Sequence, residues 1–219
     1  SGNITISTDT DASFFINTTN VNGAHLRIQT SGTNKTFLGQ AAGIAGTLGG
    51  ADDFAIRSAE DIVFSTNNNN TPDVKIDTSG QIGLNNTSPD AWNTSYKSLQ
   101  IYDGAVLYGS ADDSFVGLGA NHYLNSSGNF IYSNSDFASR FYQVNGNFYF
   151  ESASSGTSGN TLSFTERLRF ENDGQIIQDA NTTSTGAYFK NSNTTDGFGV
   201  RVEGGGTTAD RYSLVVFNA

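Results

Sequence analysis

The stretch VKIDTSGQI, from Val74 to Ile82, carries the pattern that decides the fold of this chain. Its first four residues alternate apolar and charged side chains, which is typical of a β-strand with one buried face. A Ser-Gly pair follows at Ser79 and Gly80, and glycine accepts the positive φ angle that a tight turn needs. The stretch therefore predicts a short strand that ends in a hairpin turn.

The same pattern returns later in the chain, which indicates an internal repeat. At an offset of 94 residues, VKIDTSGQI aligns with LRFENDGQI, from Leu168 to Ile176. At an offset of 174 residues, positions 12–33 align without a gap with positions 186–207. We therefore predict three β repeat units, at 1–78, 79–172 and 173–219, and we expect the incomplete third unit to mark a piece of a longer protein.

The composition favours an all-β fold made of many short strands and tight turns. Among the 219 residues there are 25 Gly, 16 Phe, 9 Tyr and only 2 Pro, and the apolar fraction is 36%. Disordered chains share this polarity but lack the aromatic residues. Because ordinary globular domains have an apolar fraction of roughly 45–50%, we expect other copies of the chain to supply part of the burial.

Charge and cysteine content exclude several classes of function. There are 11 basic and 21 acidic side chains, which gives a formal net charge of −10, whereas binding to nucleic acid needs clustered Lys and Arg. The sequence has no run of about 18 apolar residues that could span a bilayer, so we expect no membrane insertion. Cysteine is absent, which excludes a disulfide framework and a cysteine nucleophile.

The residues that follow the predicted turn form a joint with a distinct motif. The segment GQIGLNNTSPDA, from Gly80 to Ala91, follows the strand VKID and precedes a new strand at SLQI, residues 98–101. This order of strand, Gly and T-S-P resembles the joint that recurs in the shafts of bacteriophage tail fibres, especially the long fibres of phages that infect marine bacteria. The corresponding segment IIQD, residues 176–179, departs from the motif because it lacks the Gly and the T-S-P tail.

The resemblance implies a structural virion protein. Tail-fibre shafts are typically homotrimers, so we expect a repeat-built, β-rich fibre segment that forms a parallel homotrimer in the tail fibre of the virion. Its expected function is mechanical reach and host-cell attachment, and its expected partners are other phage tail proteins and host surface polysaccharide. We expect no enzymatic activity and no cofactor.

Two alternative functions stay open on the sequence alone. Adjacent acids at 52–53, 60–61 and 112–113 could serve a tailspike that cleaves polysaccharide with two carboxylates. Neighbouring side chains of a strand point to opposite faces, however, so solvated turn acids explain these pairs better. The second alternative is a bacterial extracellular adhesin that binds glycans. His25 and His122 are the only histidines and lack metal-ligand spacing, so we expect no metal site and no catalytic residue.

Aromatic residues concentrate between positions 123 and 150. Phe148 and Phe150 share one face of a predicted strand and Tyr149 lies on the other face, which predicts that the two phenylalanines belong to the core. Aromatic rings stack on the C–H faces of sugars. The candidate glycan contacts are therefore the tyrosines expected to be exposed, together with the single tryptophan near the joint: Tyr132, Tyr142, Tyr149 and Trp92.

Three arginines lie at the centres of predicted strands. Arg27 and Arg201 align at the offset of 174 residues and have apolar neighbours on both sides, and Arg57 lies in a similar strand. A guanidinium at such a position can pair with a carboxylate of an adjacent chain. We therefore predict that Arg27, Arg57 and Arg201 fix the register between chains.

Overall fold

The structure, a computed structural model, describes residues 18–19, 21, 23–45, 48–50, 52–66, 70–111 and 114–178. These ranges are almost entirely β-structure, which confirms the predicted all-β class. The predicted third unit, apart from residues 173–178, lies outside the described residues.

The elements follow one another as short strands with a single helical turn. The first group comprises β1 (His25–Thr30), β2 (Thr33–Gln40), α1 (Ala41–Ile44), β3 (Phe54–Ser58), β4 (Ile62–Phe64), β5 (Val74–Ile76), β6 (Ile82–Leu84), β7 (Tyr96–Ile101) and β8 (Ala105–Ser110). The second group comprises β9 (Val116–Ala120), β10 (Tyr123–Leu124), β11 (Phe130–Ile131), β12 (Ala138–Val144), β13 (Asn147–Ala153), β14 (Thr165–Phe170) and β15 (Ile176–Gln178).

The strands of the described ranges form three sheets. One has the order β1-β2-β3, one is the hairpin β10-β11, and the large sheet has ten strands in the order β15-β14-β13-β12-β9-β8-β7-β6-β5-β4. Neighbours in the large sheet are antiparallel except β6 and β7, which are parallel. Parallel neighbours need a crossover connection, and here residues 85–95, which contain the T-S-P motif, supply it.

The glycine of the joint is required by close packing. The crossover turns back over β6, so that a Cβ atom at Gly83 would lie 2.5 Å from the backbone oxygen of Asn86 and 3.0 Å from Cγ of Pro89. Asn86 holds this turn because its Oδ1 accepts the N–H of Ser88 at 3.0 Å and its Nδ2 donates to the backbone oxygen of Tyr102 at 2.9 Å. The motif residues therefore shape the path from β6 to β7.

The two segments that align at an offset of 94 residues form the same hairpin. In the first, the N–H of Asp77 donates to the oxygen of Gln81 at 3.0 Å and the N–H of Gly80 donates to the oxygen of Asp77 at 2.9 Å. In the second, the equivalent bonds join Glu171 to Gln175 at 2.9 Å and Gly174 to Glu171 at 3.0 Å. The flanking strands β5–β6 and β14–β15 also correspond position by position.

The first of these turns lies at the predicted boundary between units 1–78 and 79–172. Because β5 and β6 pair across it, strands on both sides of that boundary belong to one sheet. The unit boundaries themselves stay predictions.

The hydrophobic core lies on one face of the large sheet. The crossover, the hairpin β10-β11 and residues 154–164 cover this face. One cluster there contains Trp92, Val106, Tyr108 and Leu124, and an adjoining cluster contains Tyr132, Ala138, Ala153 and Leu162. We call this side the covered face and the opposite side the open face.

Candidate functional site

The open face of the large sheet carries a continuous row of apolar side chains. Directly paired residues of a sheet share a face, and here the pairing joins one apolar residue from each of nine neighbouring strands. We call this set the apolar row, and it consists of Ile62, Ile76, Ile82, Leu99, Leu107, Leu118, Phe141, Phe150 and Leu168.

The middle of the apolar row is open to solvent in the single chain. Leu107 is 47% exposed, Leu118 57% and Phe150 39%. Further exposed apolar side chains flank the row on the same face, among them Ile101, Val116, Phe148 and Phe170. A contiguous exposed patch of this kind marks an interaction surface.

A shallow groove runs beside the apolar row. Small side chains at Ala105, Ala120 and Ser139 lie next to one another across three strands, and they leave a concavity of about 510 Å³ against Leu118 and Phe150. The open face therefore has both ridges and a groove into which another apolar surface can pack.

The predicted assignment of the β13 side chains to faces is only partly right. Phe148 and Phe150 do share a face, as the period of two requires. That face is the open one, where Phe148 is 41% exposed, so the prediction that they belong to the core of the chain is wrong. The covered face instead receives Tyr149, whose ring stacks on that of Tyr142 with centroids 4.7 Å apart.

Arg140 and Glu151 form an ion pair on the covered face. Nε of Arg140 donates to Oε2 of Glu151 at 2.7 Å, and Nη2 lies 2.6 Å from the same oxygen. Both side chains are nearly buried. The guanidinium carbon also lies 4.4–4.5 Å from the ring centroids of Phe130, Tyr142 and Phe164, so cation–π contacts add to the charge pairing.

His122 is buried among these aromatic rings as a neutral side chain. Its Nδ1 lies 3.3 Å from the backbone oxygen of Ala120, and its Nε2 lies 3.3 Å from the hydroxyl of Tyr108. Because a carbonyl only accepts, Nδ1 carries the proton and Nε2 accepts from the phenol. Burial lowers the pKa of His122 to about 4 and raises the pKa of Tyr108 to about 12. This histidine therefore has a structural role.

Two of the four candidate glycan contacts are buried in the chain. Trp92 is 5% exposed and packs against Tyr108 with tilted rings whose centroids are 4.8 Å apart, and Tyr132 is 7% exposed. The expectation that Tyr132 is an exposed ring is wrong, because it packs in the second core cluster and its hydroxyl donates to the backbone oxygen of Ser154. Neither Trp92 nor Tyr132 presents a ring face to solvent. Tyr142 and Tyr149 are half-buried, and their contact with glycans stays a prediction.

Arg27 and Arg57 lie on either side of one aromatic ring. Phe37 on β2 pairs directly with Arg27 on β1 and with Arg57 on β3. The guanidinium carbons lie 5.7 Å and 5.6 Å from the ring centroid. The third arginine of the prediction, Arg201, lies outside the described residues.

One member of each described acidic pair, Asp53 and Asp61, has a local partner. Oδ2 of Asp53 accepts the N–H of Gly50 at 2.7 Å, as in a turn. Oδ2 of Asp61 lies 2.8 Å from Nζ of Lys75, and the hydrogen bond from Lys75 lowers the pKa of Asp61. The pair at 112–113 lies outside the described residues. Within the part of the chain that the structure describes, no group of three or more His, Cys, Asp or Glu side chains could hold a metal ion.

Among the described residues, no helix has the length and hydrophobicity needed to cross a bilayer. Comparison of the chain with protein-family models, with curated proteins and with solved structures gives no match.

Proposed function

We propose that this chain is a structural, non-enzymatic segment of a bacteriophage tail fibre that works as a parallel homotrimer. In this proposal the chain is located in the virion, where it gives the fibre reach and contributes to host-cell attachment. The observation that carries the proposal is the apolar row on the open face, because a single chain leaves it exposed.

The energetics favour covering the apolar row. Full burial of one large apolar side chain contributes about 1.5–3 kcal/mol, whereas association costs an estimated 4–15 kcal/mol. Leu107, Leu118 and Phe150 alone are 39–57% exposed, and the groove beside them accepts complementary side chains. Burial of these side chains together with the exposed apolar side chains that flank the row therefore favours association of copies of the chain.

The small sheet has the same arrangement on a smaller scale. Leu26, Leu38 and Ile56 pair directly across β1, β2 and β3, and they are 42%, 40% and 40% exposed. Both sheets thus present an apolar face that neighbouring copies would bury. The repeated hairpins β5–β6 and β14–β15 support a repeat-built shaft.

The number of copies and the link to a virion rest on the resemblance of the segment from Gly80 to Ala91 to fibre joints. Other phage tail proteins and host surface polysaccharide are the partners that this proposal implies. The inter-chain role of Arg27, Arg57 and Arg201 stays a separate prediction and is not part of this proposal.

Light scattering on a sizing column, combined with small-angle X-ray scattering, tests the proposal. We expect a native mass of three times the chain mass of 23.2 kDa and an elongated particle. A compact particle with the mass of one chain would contradict the proposal. It would favour the glycan-binding adhesin instead.

A further inference from the structure

The small sheet carries a positively charged surface on the face opposite its apolar residues. We call it the arginine face and define it by Arg27, Lys35, Phe37 and Arg57. The two arginines lie one strand away from Phe37 on either side, so their backbones are roughly 10 Å apart, twice the interstrand spacing. Cation–π contacts with Phe37, at 5.7 Å and 5.6 Å, hold both guanidinium groups over the sheet.

The cations of the arginine face have no carboxylate partner among the described residues. The ion pairs within 4.0 Å in those ranges involve Lys75, Arg140 and Arg169. Acidic residues outnumber basic ones by 21 to 11 in the whole chain, so a shortage of acidic residues does not explain the missing carboxylate partners. Three unpaired cations on one small sheet therefore indicate a surface that an external anion can neutralise.

A concavity adjoins the arginine face. It measures about 220 Å³ and is lined by Lys35, Phe37 and Arg57 together with Asn34 and Ser58. Charged nitrogens can bind a carboxylate there, and the amide and hydroxyl side chains can bond to sugar hydroxyls. A guanidinium binds a carboxylate with two parallel N–H···O bonds.

The carboxylate that binds the arginine face could come from a neighbouring copy or from a ligand in solution, and the side to which this face points distinguishes the two. Leu26, Leu38 and Ile56 occupy the opposite face of the same sheet. If neighbouring copies cover that apolar side, the arginine face points outward to solvent. This step rests on the proposed function, and it favours a ligand from solution over a carboxylate of a neighbouring copy.

We propose that the arginine face binds carboxylate-bearing saccharides. Arg27 and Arg57 bind carboxylates on separate sugar residues, Lys35 adds a third cation, and Asn34 and Ser58 bond to hydroxyl groups. Nucleic acid is disfavoured, because a chain with a net charge of −10 repels a polyphosphate at long range and three cations are too few to offset this.

Titration of the full chain with polygalacturonate fragments, which carry a carboxylate on each ring, tests this proposal by calorimetry. Neutral dextran fragments of matched length serve as the ligand control. The variants Arg27→Gln and Arg57→Gln each remove one guanidinium from the arginine face. Lys75→Gln is the charge-matched protein control, because Lys75 lies outside both the arginine face and the open face, is paired with Asp61 at 2.8 Å, and its loss changes the net charge equally.

We expect the wild-type chain to bind polygalacturonate and not dextran. Each arginine-face variant should bind about tenfold more weakly, and Lys75→Gln should bind as the wild type does. Absence of binding, or equal weakening by all three variants, would overturn the proposal. A lower native mass of Arg27→Gln and Arg57→Gln would also overturn it, since the cations would then pair with a neighbouring copy. If the wild-type chain is a monomer and still binds polygalacturonate, the result contradicts the proposed trimer but not the saccharide site.

Discussion

Leu118 on β9 lies directly opposite Phe141 on β12, and both side chains point to the open face of the large sheet. Leu118 is 57% exposed there, although it lies in the centre of a row in which every paired neighbour is apolar. A leucine at such a position contributes little to the stability of an isolated chain. It contributes more if a second apolar surface covers it.

We therefore expect Leu118→Asp to dissociate the assembly without unfolding the chain. An unpaired carboxylate is costly in an apolar interface but is solvated on an exposed strand. The native mass by light scattering should fall to that of one chain, while the far-UV circular dichroism spectrum stays unchanged. Val63→Asp is the control, because Val63 is 53% exposed and lies on the opposite face of β4 from Ile62 of the apolar row. Its native mass should match that of the wild type. A trimer of Leu118→Asp would exclude the apolar row as the interface.

The alternation of side chains could be predicted from the sequence, but the choice of the buried face could not. Phe148 and Phe150 follow the period of two, as predicted, yet they lie on the open face. The covered face is decided by which loops fold over the sheet, and Trp92 in the crossover and Leu124 in β10 do so from positions distant in sequence from β13. Local periodicity contains no information on such contacts.

The turns were predictable because their chemistry is local. Ser79 and Gly80 form the predicted turn, and the aligned segment at Gly174 forms the same one. The contact of Arg27 and Arg57 with Phe37 depends instead on the pairing of three strands. The sequence alone does not indicate that Phe37 lies between the two arginines. This arrangement follows only from the register of β1, β2 and β3.

Removal of the charge at Arg140 should strongly destabilise the chain. Arg140→Met leaves the carboxylate of Glu151 nearly buried with only the hydroxyl of Tyr142 as a described side-chain donor, at 3.1 Å. Loss of one partner of a buried ion pair costs about 3–5 kcal/mol, measured as the free energy of unfolding in urea. The double variant Arg140→Met/Glu151→Leu should recover most of this loss, since no buried charge then remains.

Arg169→Met provides the comparison for this experiment. Arg169 forms ion pairs with Glu166 and Glu171, but its side chain is 26% exposed. Because these half-buried charges keep part of their hydration, this variant should lose less stability than Arg140→Met. Equal losses for Arg140→Met and Arg169→Met would contradict the structural role assigned to the buried pair.

Stability should decrease as the pH falls from about 6.5 to about 4, and His122 should cause part of that decrease. The pKa of the folded state is about 4, below the ordinary value of about 6.5. In this interval the unfolded chain binds a proton that the folded chain does not, so acid favours unfolding. The contribution reaches about 1.4 kcal/mol per pH unit and roughly 3 kcal/mol in total.

Urea unfolding of the wild type and of His122→Gln at several pH values measures this contribution. His25 is present in both proteins, so its effect cancels in the difference. We expect the difference in unfolding free energy between the two proteins to shrink from pH 7 to pH 4. A constant difference across this range would show that His122 does not titrate as a buried neutral imidazole.

The two aligned hairpins should respond equally to loss of their glycines. Gly80 has φ +77° and Gly174 has φ +90°, a region in which an alanine costs about 1–2 kcal/mol. Both sites have room for a Cβ atom, so the cost of Gly80→Ala and of Gly174→Ala should come from the backbone alone. Gly104→Ala is the control, since it also has open space but no positive φ, and its stability should stay within about 0.5 kcal/mol of the wild type.

Because the two turns are far apart in the sheet, their losses should add in the double variant. A neutral Gly174→Ala beside a destabilising Gly80→Ala would show that the two copies do not share one turn, and the repeat at an offset of 94 residues would lose its structural support.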